Sequence, residues 1–389
     1  MKILFYKNNE ISPNIGGISR ISSNLRESLV KRGYECVYLS SNRNAHITAD
    51  ASQEWLPVLG KDMCNENVAW LHHYIIENGV DVIINNCFLA SAARFLDAAR
   101  KGTTCKLITW FHNNVVEYGS LVGYRKEKML RDKHLSFVYG LMTSRLTVKI
   151  LRYLSRKKHQ ETARACYDCS DRVITVCDGN IKEFLFLLGK KDNDNKVLAI
   201  PNFVTTLTSE VSEDEKEKSV VWCGSVDYEL KKTNWMLDIW RIVQDNHPQW
   251  SLTIMGDSHQ LESIKAYAAK IGTERVIFTG RVNPDPYYRK AAIICSTSIT
   301  ESFGLTMVEG MQRRVVPVAF SSSSAFRDVV GYNGRLVKPF NKRLFAAELS
   351  DMMGKETTRR FLAEKCRVAA WQYDEAYIIS IWEKLLQLI

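Results

Sequence analysis

Short apolar runs alternate with stretches of helical periodicity along almost the whole chain, and this alternation restricts the fold more than any other feature. Lys2–Tyr6 reads as a buried strand and Asn8–Gly17 as a polar loop. Ile18, Ile21, Leu25 and Leu29 then recur at helical spacing until Gly33. Tyr34–Ser40, Val80–Asn85, Lys106–Phe111, Arg172–Val176 and Val197–Ile200 repeat the strand pattern, with helical stretches between them. Strands joined by helices pair in parallel and are covered by helices on both faces. The pattern breaks at the acidic, polar stretch Ser209–Ser219, which has almost nothing to bury. It restarts with Val220–Trp222, Ser251–Met255, Val276–Thr279, Ile293–Ser296 and Val315–Phe320, and Ala363–Leu388 reads as helical. The economical fold is α/β, two Rossmann-like doubly wound parallel-sheet domains facing across a cleft. The expected division is 1–203, a linker 204–219, a second domain 220–370, and a helix 371–389 crossing back to the first.

A length of 389 residues suits two domains. With 46% hydrophobic and 25% charged residues, the chain is neither disordered nor fibrous. No apolar run reaches the ~18 residues of a membrane-spanning helix. Met1–Tyr6 passes straight into a strand and lacks the apolar core and cleavage site of a signal peptide, so a cytoplasmic location is expected. The ten cysteines are scattered, and several (Cys87, Cys105, Cys295) lie in or beside apolar runs. Cys166 and Cys169 have no second pair to complete a zinc site, so reduced thiols are expected. The formal charge of +10 admits nucleic acid, anionic lipid or an anionic small substrate as partner.

The most informative segment is Thr300–Met311, which follows the strand Ile293–Ser296 and so sits where open α/β sheets bind ligands. Glu301 falls in the loop, and Thr306–Gln312 can form a helix with Glu309 about one turn in. Backbone N–H groups from Phe303 through Gly304 and Leu305 to Thr306 can hold a phosphate, helped by the helix dipole. Two carboxylates flanking such an anion hole suit the hydroxyls of a sugar and a ribose.

Two glutamates enclosing Phe303-Gly304-Leu305 at this spacing resemble the donor-binding motif of family-4-like retaining glycosyltransferases of the GT-B fold (glycosyl transferases group 1). The resemblance implies that Glu301 contacts the donor sugar and Glu309 the ribose. Val220–Ser225 followed by Lys231-Lys232 resembles the first strand of that family's donor domain, with its glycine turn at Gly224 and its phosphate-binding lysine. Either lysine fits, and Lys232 is preferred as the cation that stabilises the leaving diphosphate. Ser225 departs from the family, which has an arginine there; Arg281 is the candidate substitute.

In the first half, Asn14–Ile18 resembles the family's glycine pair, here Gly16 and Gly17. His112, at the end of the strand Lys106–Phe111, resembles the family's active-centre histidine and can orient a hydroxyl or donate toward the leaving group. Between Leu121 and Arg164 stand twelve Lys or Arg against three acids, interleaved with apolar residues such as Phe137, Leu141, Leu146 and Ile150. This is an amphipathic helical pair with a solvated basic face, or a surface that docks on anionic lipid. No nucleic-acid-binding motif accompanies the charge. Asp192-Asn193-Asp194 reads as a turn and not as a metal site.

The resemblance implies a hexosyltransferase-type enzyme moving a sugar, with retention and without metal or cofactor, from a nucleotide-diphosphate sugar to a saccharide or lipid-linked saccharide. Bacterial surface polysaccharide or lipopolysaccharide synthesis is the expected setting, in the cytoplasm or at the inner face of the membrane. The alternatives are an epimerase or phosphorylase of the same architecture, or a non-catalytic basic protein that binds nucleotides or polyanions.

Overall fold

The computed structural model describes residues 1–12, 16–43, 52–112, 114, 121–205, 207 and 211–389. They fall into two units: Met1–Asn113, Arg156–Phe203 and Ala376–Ile389 form the first, Asn114–Ser155 and Val204–Glu375 the second.

The first unit holds a parallel sheet of seven strands: β1 (Lys2–Lys7), β2 (Glu35–Ser40), β3 (Gln53–Trp55), β4 (Val80–Asn85), β5 (Lys106–Phe111), β6 (Arg172–Thr175) and β7 (Val197–Ala199). Their order is β3-β2-β1-β4-β5-β6-β7. Ile3, Leu4, Phe5 and Tyr6 of β1 are buried, as a strand covered on both faces requires. The helix Gly16–Val30 buries Ile21, Leu25 and Leu29, the stripe that its spacing predicts.

The second unit holds six parallel strands: β8 (Glu217–Cys223), β9 (Ser251–Met255), β10 (Val276–Gly280), β11 (Ala291–Ser296), β12 (Val316–Phe320) and β13 (Arg335–Val337). Their order is β10-β9-β8-β11-β12-β13. In each sheet, successive strands run outward one way and then return to the other side of the first strand. The two units are therefore doubly wound, with switch points between β1 and β4 and between β8 and β11.

Sequence order and packing divide the chain differently. Residues Asn114–Ser155, expected within 1–203, belong to the second unit. Leu121 is part of that unit's core, and Tyr124 packs 4.4 Å from the ring of Phe340 and 6.4 Å from that of Trp235. The stretch expected as linker contributes to the second unit as well: β8 begins at Glu217, and Val211 is buried. The tail is two helices, Glu356–Ala370 and Glu375–Leu388, separated by a tight turn at Trp371–Tyr373. In the first unit, Trp382 of the last helix meets Trp110 edge-on at 4.9 Å. All ten cysteines are free.

Candidate functional site

At the switch point of the second unit, β8 delivers the loop Gly224–Lys232 and β11 delivers the loop through Glu301. Gly224 donates its N–H to Met255 O at 3.0 Å. The neighbouring loop comes closer still: a Cβ on Gly256, whose φ is +137°, would lie 1.8 Å from Gly224 O. Only glycine allows these two strand ends to meet. Gly256 in turn donates to Gly280 O at 2.8 Å, so three adjacent strands end in bonded glycines. Gly256 gave no signal in the sequence beyond its place after a strand.

The turn that follows Gly224 is fixed from within. Asp227 Oδ1 accepts from the backbone N–H of Glu229, Leu230 and Lys231 at 2.9, 2.7 and 2.8 Å. The Thr297 hydroxyl lies 2.9 and 3.0 Å from the carbonyl oxygens of Lys231 and Lys232, while accepting from Trp222 Nε1 at 3.1 Å. Ile299 N–H donates to Leu230 O at 2.9 Å. The loops after β8 and β11 are thus one bonded assembly, and Asp227 and Thr297, which the sequence did not single out, hold it together.

The two lysines of this turn face different surroundings. Lys231 Nζ pairs with Glu301 Oε1, and its side chain keeps 30% of its surface exposed. Glu301 also accepts from Ser298 Oγ at 2.8 Å. Lys232 is the residue preferred from sequence, yet its side chain is wholly buried and pairs with Glu127 Oε2 at 3.0 Å. Burial pulls the Lys232 ammonium below the usual lysine range, and Glu127 opposes that shift. Lys232 also takes the left-handed backbone, with φ +53°, at the start of the helix Thr233–Val243. Lys232 is thus enclosed, and Lys231 is the partly exposed lysine of the turn.

Beyond Glu301, the helix Leu305–Gln312 begins after Gly304, which has φ +94° and no side chain capping the helix. A Cβ at Gly304 would press on the Phe326 ring at 3.0 Å. Phe303 is buried, its ring edge-on to Tyr373 at 5.4 Å, so only its backbone is available to a ligand. Leu305 and Glu309 are partly exposed, and Tyr288 Oη reaches Glu309 Oε2 at 3.5 Å. Burial raises the Tyr288 phenol well above its ordinary range, keeping it a neutral donor. An uncapped helix start, a partly exposed lysine and two carboxylates suit an anion flanked by hydroxyl groups. Ser225 contributes no positive charge, and Arg281 is exposed.

In the first unit, His112 follows β5 and is buried, 4.2 Å from the Trp110 ring. Its Nε2 finds no hydrogen-bond partner among the described residues. Burial, with a smaller effect from Lys7, pushes its pKa down to about 3, so the ring is neutral. At the switch point Lys7 Nζ donates to Ser19 Oγ at 2.6 Å, and Ser22 Oγ to Asn86 Oδ1 at 3.0 Å. Gly16 and Gly17 open the helix Gly16–Val30, and an added Cβ on Gly17 would meet no atom of the described residues within 4 Å. Asn14 and Ile15 lie outside the described residues. Among the described residues no group of three or more His, Cys, Asp or Glu could hold a metal ion. Asp194 is engaged by Tyr167 and Lys190, and Asn193 by Val197 O, as in a structured turn.

Residues 217–355 match the family model of the glycosyl transferases group 1. An uncharacterized glycosyltransferase of Haemophilus influenzae is 24% identical over 220 residues, 56% of this chain and 61% of that protein. The amylovoran biosynthesis glycosyltransferase AmsD of Erwinia amylovora is 28% identical over 180 residues, 44% of this chain and 48% of that protein. The chain thus spans only about half to three-fifths of the length of these relatives. The Anabaena Alr3699/HepE structure in complex with UDP and glucose superposes with a TM-score of 0.69 at 16% identity, over 100% of both chains. Residues 217–355 therefore match the glycosyl transferases group 1, in a chain whose fold is the GT-B fold.

Proposed function

We propose that this protein transfers a sugar from a nucleotide-diphosphate sugar to a hydroxyl of a saccharide or lipid-linked saccharide, in the synthesis of a bacterial surface polysaccharide or lipopolysaccharide. The observation that carries the reading is the second unit's switch point, where Lys231 pairs with Glu301 on one bonded loop assembly and the uncapped helix Leu305–Gln312, which carries Glu309, follows directly. The diphosphate lies on the N–H groups after Gly304 and on Lys231. Glu301 takes the sugar hydroxyls and Glu309 the ribose hydroxyls.

The reaction proceeds with retention and without a metal. The bond between the anomeric carbon and the phosphate oxygen loosens first, and its electron pair stays with the departing nucleoside diphosphate. Lys231 and the helix dipole stabilise the charge that develops there. The acceptor oxygen bonds to the anomeric carbon on the face the phosphate leaves, and its proton passes to a phosphate oxygen. His112, in the first unit, is proposed to orient a hydroxyl by hydrogen bonding as a neutral ring.

A peripheral seat on the inner membrane face belongs to the same proposal. Phe137 is 83% exposed and Leu146 70%, with Leu141 and Ile150 also exposed beside Arg145, Lys149 and Arg152. Among the described residues no helix is long and apolar enough to cross a membrane. A panel of uridine, guanosine and adenosine diphosphate sugars, read by thermal stabilisation, tests the donor assignment. One base class should raise the melting temperature in proportion to ligand concentration, and the absence of any shift across the panel would remove the assignment.

A further inference from the structure

Lys232 and Glu127 are 105 positions apart in sequence and form a buried ion pair. Glu127 lies on the short helix Glu127–Asp132, in the segment that joins the second unit from the first half of the chain. Its carboxylate is nearly sealed from water and fully engaged. Oε2 accepts from Lys232 Nζ at 3.0 Å and from Trp235 Nε1 at 2.7 Å, and Oε1 accepts from Arg131 Nε at 3.1 Å. Burial raises the affinity of this carboxyl for a proton, but Lys232 and its other donors outweigh that and hold it ionised. Lys232 also lies 4.8 Å from the centre of the Trp235 ring.

Asp227 and Thr297 pin the backbone of the turn, but they do not decide which lysine faces outward. Two adjacent lysines have the same chemistry, yet Lys231 pairs with Glu301 and Lys232 with Glu127. Burying an ammonium is costly unless it meets a fixed counter-charge. We propose that Glu127 is a positioning residue for the donor site: by drawing Lys232 into the core, it directs Lys231 to Glu301 and to the diphosphate. This inference rests on the donor assignment above and adds to it a residue from outside the matched segment 217–355. Without the Glu127 charge, the Lys232 ammonium has to reach water, and the turn that carries Lys231 shifts with it.

The experiment measures UDP, GDP and ADP affinity by calorimetry in the full-length wild type, in Glu127→Gln, and in the double variant Glu127→Gln with Lys232→Met. Glu127→Gln should weaken binding of the preferred nucleotide by about 10-fold, the scale of one charge-assisted contact. The double variant has no cation left to expel and should recover to within about 3-fold of wild type. A residue that serves stability alone would lower the melting temperature and leave affinity unchanged, and that result overturns the inference. Failure of the double variant to recover also overturns it, because Lys232 itself would then be the binding cation. If Glu127→Gln does not fold, Glu127→Asp gives the same contrast by keeping the charge and shortening its reach: weaker binding supports the inference and unchanged binding overturns it. A wild type that binds none of the three nucleotides rejects the donor assignment itself, and this inference with it.

Discussion

Lys231 Nζ and Glu301 Oε1 form an ion pair that joins the loops after β8 and β11, the two strands flanking the switch point of the second unit. The cation is therefore already neutralised before a donor arrives. In the proposed donor assignment, an incoming diphosphate would compete for Lys231 and leave Glu301 free to accept from sugar hydroxyls.

Replacing Lys231 with methionine removes the positive charge that the proposed assignment sets beside the departing diphosphate. Transfer measured in single turnover should fall by about 100-fold or more, the cost of losing one preorganised electrostatic contact. Equal rates for Lys231→Met and wild type would show that the cation lies elsewhere.

Gly256→Ala tests the close approach of the strand ends. Its Cβ would sit 1.8 Å from Gly224 O, and that contact is backbone against backbone. The variant should lose about 3 kcal/mol or more in urea melts, since neither strand end can yield without breaking its ladder. A loss under about 1 kcal/mol would mean that these loops are looser than their hydrogen bonds indicate.

His112 gives the protein a specific acid sensitivity. Its folded pKa of about 3 lies below the ordinary histidine value of 6.5, so the unfolded chain binds a proton that the folded one refuses. The resulting stability is fully present above pH 6.5 and is lost as pH falls from there toward 3. The slope approaches about 1.4 kcal/mol per pH unit in the middle of that window. Urea melts between pH 7.5 and 5 should show a shallower decline for His112→Gln than for wild type. Parallel declines would mean that the imidazole reaches solvent.

The exposed apolar residues of the second unit should decide lipid binding. Sedimentation with vesicles containing phosphatidylglycerol should carry down the wild type and far less of a Phe137→Asp, Leu146→Asp variant, while neutral phosphatidylcholine vesicles bind neither. Both residues are exposed, so the variant should melt as the wild type does. Equal sedimentation of the two proteins would leave the basic helical face simply solvated.

What the sequence revealed, and what it hid, follows the range of the interactions. The segment Thr300–Met311 was readable because strand, loop, Gly304 and helix are consecutive; the helix starts at Leu305, one residue before the expected Thr306. β3 and β13 were missed because Gln53-Glu54-Trp55 and Arg335-Leu336-Val337 begin on polar residues and show no continuous apolar run like Val197–Ile200, which marked the equally short β7. The choice between Lys231 and Lys232 was out of reach for a different reason. It is made by Glu127, a residue with no local signal, in a segment whose place is set by Phe340 and Trp235 far along the chain. Asp227 was hidden in the same way, because a carboxylate collecting three backbone N–H groups looks in sequence like any acid in a turn.

The most direct test of the central claim is a titration of wild type, Glu301→Gln and Glu309→Ala with the nucleotide sugar and with its free nucleoside diphosphate. Glu309→Ala should weaken both ligands by about 10-fold or more, and Glu301→Gln should weaken the sugar nucleotide while leaving the free diphosphate nearly as tight as in wild type. Unchanged affinities in both variants would contradict the account, because nucleotide and sugar would then lie away from this switch point.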